Sequence, residues 1–158
     1  MPTTQVATGQ IATAQHIDGQ EETELTTGVM GDCIGLVVIK TVQAARHICL
    51  WHVNGGWLDT RSAQYAQMKA FVAPYCQIHV GFGPNHHFER QRREWLRSDD
   101  FEDLQANTQV MPTMQPPYPG ATIPSPNASV ASYKACLTFT CDTLGQVSSN
   151  GGSKEMLL

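Results

Sequence analysis

The stretch Ile34-Gly35-Leu36-Val37-Val38-Ile39-Lys40-Thr41-Val42 constrains this chain more than any other. It is a nearly unbroken apolar run, rich in β-branched residues and too short for a comfortable helix, so it reads as a strand buried on both faces. A second run, His47-Ile48-Cys49-Leu50-Trp51-His52-Val53, ends at Asn54-Gly55-Gly56, a strong turn signal. Two such strands this close in sequence make a natural antiparallel hairpin.

Around the hairpin the pattern changes several times. Residues 10–17 carry enough β-branched side chains for a first strand, whereas residues 1–9 are Thr/Gln/Ala-rich and expected to fray. Residues 62–73 begin at an N-cap serine, place Tyr65, Met68, Phe71 and Val72 at helical spacing, and stop at Pro74, which describes an amphipathic helix. A further strand is expected over residues 77–82, closed by Gly83-Pro84-Asn85, and a second, more exposed helix over residues 87–97. Six of the nine prolines fall between residues 111 and 126, so residues 111–131 are expected to be loop. Residues 133–141 alternate well enough for a late strand, and residues 148–158 read as a mobile tail. The resulting expectation is an α+β fold: a β-rich sandwich or two-layer mixed sheet with two or three helices packed outside it, formed by residues 1–158 as a single domain.

Composition limits the possible partners. A chain of 158 residues with 41% hydrophobic content can bury one good core. Its formal net charge is −4, and its only dense basic run lies between Arg90 and Arg97, so nucleic acid is not an expected partner. No segment approaches the ~20 apolar residues that span a bilayer, and Met1-Pro2-Thr3-Thr4-Gln5 does not open a Sec-type signal, so no membrane partner is expected either. The five cysteines, Cys33, Cys49, Cys76, Cys136 and Cys141, lack CxxC spacing and are odd in number, which argues against a disulfide framework and a zinc ribbon. His86-His87 lacks the third ligand a metal would need, and no cofactor or metal is expected.

Cys33 stands apart because it opens the apolar strand directly after Gly31-Asp32. If the hairpin turn centres near Val42-Gln43, antiparallel pairing sets Cys33 opposite His52, on the same face of the sheet. His47 would lie opposite residues 36–39, and at ~3.3 Å per residue a five-residue displacement is about 16 Å, beyond hydrogen-bond reach. His47 is the alternative base if a bulge alters the register. A thiol of pKa ~8.5 is only slightly ionised at neutral pH, and an adjacent imidazole that accepts its proton makes it a competent nucleophile. Backbone N–H groups at Gly31 and Asp32 are candidates to hold an oxyanion, and Thr27, through its hydroxyl or backbone oxygen, is a candidate to fix the imidazole tautomer.

The arrangement Thr27…Gly31-Asp32-Cys33-Ile34-Gly35-Leu36-Val37-Val38, a short turn, then Ile48-Cys49-Leu50-Trp51-His52-Val53-Asn54-Gly55-Gly56 resembles the cysteine/histidine amide hydrolases of the protein deamidase superfamily. These are the chemotaxis receptor glutamine deamidases, the N-terminal asparagine amidohydrolases and the cytotoxic-necrotising-factor type deamidase toxins. The resemblance covers roughly residues 25–85 and implies a deamidase-like, β-rich sandwich fold. It implies hydrolysis of a glutamine or asparagine side-chain amide through a thioester, with Cys33 as nucleophile, His52 as base and a threonine or backbone oxygen as third partner. It also implies a protein substrate, and either a cytoplasmic enzyme or a compact effector or toxin delivered by a non-Sec route. Two features depart from the group: Asp32 stands where Ser, Gly or Thr is usual, and the spacing of 19 to His52 is long, whereas 14 to His47 matches the shorter members. A carboxylate beside the nucleophile opposes thiolate formation unless it points outward. Two other classes share parts of the pattern. One is a small cysteine peptidase, amidase or transglutaminase-like enzyme; the other is a non-enzymatic binding module in which Cys33, like the remaining cysteines, is a core residue.

Overall fold

A computed structural model describes residues 1–54, 59–72, 76–83, 128–130 and 138–150. These residues form nine strands and one helix: β1 (Thr3–Gln5), β2 (Ile11–Ile17), β3 (Glu24–Thr26), β4 (Ile34–Val42), β5 (Ala45–Val53), α1 (Ala63–Phe71), β6 (Cys76–Phe82), β7 (Ala128–Val130), β8 (Thr138–Asp142) and β9 (Val147–Asn150). The strands make two mixed sheets, one ordered β2-β5-β4-β6-β7 and the other β1-β3-β8-β9. The fold is α+β and strand-rich. The second helix expected over residues 87–97 and most of the Pro-rich stretch lie outside the described residues.

The burial of β4 on both faces has a simple cause. On one face Leu36 and Val38 join Cys49, Trp51, Ile78 and Val80 beneath Tyr65, Met68 and Val72, the last two from the helix and its C-cap. On the other face Val37 and Ile39 join Ile48 and Leu50 against Leu25, Phe139 and Cys141 of the second sheet. With a cover on each side, every residue from Ile34 to Ile39 is buried. Burying a side chain of this size contributes roughly 1.5–3 kcal/mol, so β4 is the central beam of the molecule.

The helix starts where its sequence says it should. Ser62 Oγ accepts a hydrogen bond from the N–H of Tyr65 at 3.0 Å, the capping contact that satisfies an otherwise orphaned donor. At the far end the Val72 N–H reaches the Met68 carbonyl at 3.0 Å before Pro74.

Four details differ from the sequence-based expectation. The β4–β5 turn falls at Gln43-Ala44, since Val42 pairs with Ala45, one residue later than expected. The N-terminal residues expected to fray include β1, which pairs parallel with β3 (Thr4 opposite Leu25), because main-chain bonding does not require apolar side chains. Ala128–Val130, inside the stretch expected to be loop, pairs parallel with β6. Ser148 to Asn150, assigned to a mobile tail, belong to β9 and pair with β8.

Candidate active site

The shift in the turn moves every cross-strand pair by two. His52 lies opposite Gly35, not opposite Cys33, and His47 lies opposite Lys40. Cys33 remains on the face of His52 nonetheless, because residues 33 and 35 share parity: its side chain packs in the inter-sheet cluster with Val37, Leu50 and Phe139. Cys33 and His52 are therefore diagonal neighbours on one face, a relation in which the backbones stand about 7–8 Å apart. The bond from the Gly83 N–H to the Cys33 carbonyl, 2.8 Å, extends the β4–β6 ladder to the cysteine and holds its backbone in strand register.

His47 sits on the opposite face. It shares the parity of Cys49 and Trp51, which pack toward the helix, and it lines a pocket with Phe71 on that side. No bulge interrupts the pairing of β4 with β5 between residues 34 and 53. His47 and Cys33 are thus separated by the sheet itself.

Main-chain groups between β1 and β2 grip His52. Its N–H donates to the Gln10 carbonyl at 3.0 Å, and its own carbonyl accepts from Gly9 at 2.7 Å. Its ring Nδ1 lies 2.8 Å from the Val6 carbonyl oxygen, which can only accept, so Nδ1 carries the proton and Nε2 presents a lone pair. That Nε2 is buried and, among the described residues, has no hydrogen-bond partner. A buried imidazole nitrogen left idle is unfavourable in a structural role, and this orientation is the one a general base requires.

Thr27 does not hold the imidazole. Its hydroxyl donates to the Gly28 carbonyl at 2.8 Å and accepts from the Phe139 N–H at 3.0 Å, which fastens the second sheet to the loop preceding Cys33. The Val6 carbonyl, rather than Thr27, fixes the tautomer. A main-chain oxygen 46 residues away leaves no mark in a sequence; the one available hint was Gly9, whose φ of +80° lets the chain turn into its bond with His52.

Asp32 is exposed, yet its Oδ1 lies 4.0 Å from Cys33 Sγ. The resting thiol therefore leans toward Asp32 and makes no hydrogen bond to His52. Among the described residues, the backbone N–H groups of Gly31, Asp32 and Cys33 have no hydrogen-bond partner, leaving adjacent donors at the mouth of the strand.

The other described thiols suit packing. Burial pushes Cys49 and Cys76 up to about 12, despite the opposing effect of the Lys40 ammonium, and burial also raises Cys141. None of these ionises near neutral pH. Cys33 keeps 7% exposure against 0–1% for those three. Burial also lowers His79 to about 4, so that imidazole stays neutral at physiological pH. Among the described residues no group of three or more His, Cys, Asp or Glu side chains could hold a metal ion, and no helix is long and apolar enough to cross a membrane. No family model, curated protein or solved structure matches this chain.

Proposed function

We propose that the protein is a thiol-dependent hydrolase of side-chain carboxamides, a glutamine or asparagine deamidase acting on protein substrates. The observation that carries this reading is His52: Nδ1 is committed to the Val6 carbonyl, and Nε2 is idle on the face that bears Cys33. The deamidase-like character of the sheet and the backbone oxygen as third partner belong to this proposal.

In the proposed cycle the Cys33 thiol leaves Asp32 and turns to His52 Nε2, which takes its proton. The thiolate attacks the carboxamide carbon, and the oxyanion that forms accepts hydrogen bonds from the free N–H groups near Gly31 and Asp32. Collapse of the tetrahedral intermediate breaks the C–N bond, with the Nε2 proton passing to the leaving nitrogen to release ammonia. Water, giving its proton to Nε2, then adds to the thioester and expels the Cys33 thiolate, leaving the carboxylic acid. The Val6 carbonyl keeps the ring oriented and stabilises the imidazolium between steps.

Intact-mass analysis of candidate protein targets tests the reading. Deamidation adds about one dalton per site, and both Cys33→Ser and His52→Ala are expected to abolish the gain, since triad-type members act as a unit. Chain cleavage or a cross-linked product would assign the thiol to a peptidase or transglutaminase instead. A gain that survives Cys33→Ser would remove the cysteine from the mechanism.

A further inference from the structure

The outer edge of β2 pairs with no strand among the described residues. Because His52 N–H bonds the Gln10 carbonyl, the antiparallel alternation directs the main-chain groups of Ala12, Ala14 and His16 toward β5 and those of Ile11, Thr13, Gln15 and Ile17 outward. Ile17 shows the outward set directly: its N–H reaches Gln20 Oε1 at 3.4 Å and its carbonyl accepts from the Gln20 N–H at 3.0 Å. Gln20 thus closes the edge at one end. Among the described residues, the outward groups of Ile11, Thr13 and Gln15 have no hydrogen-bond partner.

Natural edges are blunted by lysine, proline, bulges or inward charge. The segment Ile11-Ala12-Thr13-Ala14-Gln15 has no charged residue and no proline, and it pairs with β5 without interruption. Beside it, on the helix side of the sheet, lies a pocket of about 400 Å³ lined by Thr13, Ala14, Gln15, His47 and Phe71. An open edge next to a side-chain pocket is the arrangement by which a sheet accepts an additional strand.

We infer that the edge of β2 is the interface of a two-fold homodimer, in which two copies pair antiparallel through Ile11, Thr13 and Gln15 to form a continuous ten-stranded sheet. The available set fits a copy of itself. Since Gln20 removes Ile17, the three remaining outward residues are centred on Thr13, so a two-fold axis there sets Thr13 opposite Thr13 and Ile11 opposite Gln15 of the second copy. Each such pair exchanges two main-chain bonds. The absence of charge lets two molecules of net charge −4 meet here without like-charge repulsion across the ladder. Directly opposite residues share a face, so the second copy's Ile11 arrives beside Gln15 at the pocket, with Phe71 as an apolar wall. This inference is independent of the chemistry at Cys33.

Analytical ultracentrifugation of the full chain, from low micromolar to several hundred micromolar, provides the test. Wild type is expected to show a concentration-dependent dimer and no larger species, because the two-fold arrangement closes. Thr13→Pro removes only an outward donor, leaves the β2–β5 ladder intact, and is expected to weaken association by about tenfold or more with an unchanged far-UV circular dichroism spectrum. Thr13→Lys at this exposed position sets two ammonium groups opposite each other; it is expected to weaken the dimer at low salt and to recover part of the affinity at high salt, which a folding defect would not do. A wild-type monomer throughout the range, an open-ended oligomer, or a dimer indifferent to both substitutions would overturn the inference.

Discussion

At the scale of single residues, the tautomer of His52 is the central fact. Nδ1 bonded to a main-chain carbonyl removes the ambiguity that an isolated histidine carries, and the free Nε2 is then the nitrogen able to receive a proton from Cys33. The adjoining glycine is equally specific. A Cβ at Gly35, the residue opposite His52, would lie 2.6 Å from Cδ1 of Phe139, closer than real atoms approach. Gly81 on β6 makes a second close approach to the same ring, so Phe139 is seated on a floor of two glycines. Gly35→Ala must therefore displace a fully buried ring and is expected to lower stability by about 1–3 kcal/mol, measurable as a lower urea midpoint at unchanged slope. Cys33 and His52 were both legible as candidates because the strand-opening cysteine and the His-x-x-Gly pattern are local signals. Thr27 was misassigned because its spacing to Cys33 says nothing about Phe139, 112 residues away, which claims its hydroxyl.

At the scale of elements, hydrophobic pattern located the strands and turn chemistry failed to mark their register. β4 was expected at residues 34–42 and lies there, and β5, β6 and α1 begin or end within two residues of expectation. The connection Val42-Gln43-Ala44-Ala45 contains no Gly, Asn, Asp or Pro, so nothing in it identifies the two central residues. Gln43 adopts a φ of +56° without the freedom of a glycine, consistent with a tight hairpin whose first central position is left-handed. Gln43→Gly is accordingly expected to stabilise the protein by up to about 1 kcal/mol, seen as a raised thermal midpoint, with no change in pairing. The one-residue error in the turn became a two-residue error across the ladder, yet parity was preserved. That is why the pairing of faces between Cys33 and His52 survived a wrong register, while His47, of opposite parity to Cys33 on this ladder, faces the helix.

At the scale of the whole molecule, the second sheet is what the sequence concealed. Its strands β1, β3 and β9 contain only three or four residues each, too few for alternation to be read, and the same holds for β7 at the edge of the five-stranded sheet. β1 and β3 nevertheless bear on the site: β1 leads into the main-chain grip on His52, and β3 covers the face that carries Cys33 through Leu25. The proposed chemistry thus rests on segments remote from the Cys-His pattern, with the candidate nucleophile at the mouth of the central beam and the candidate base held from the N-terminal edge. If Cys33 and His52 work as a pair, the alkylation rate of Cys33 by iodoacetamide across pH, followed by peptide mapping, reports the pairing. Cys33 is expected to be modified well ahead of Cys49, Cys76 and Cys141 near neutral pH, and His52→Ala to slow its modification by about tenfold or more while His47→Ala does not. A Cys33 as inert as the other three, or one whose reactivity ignores His52, would rule the pairing out.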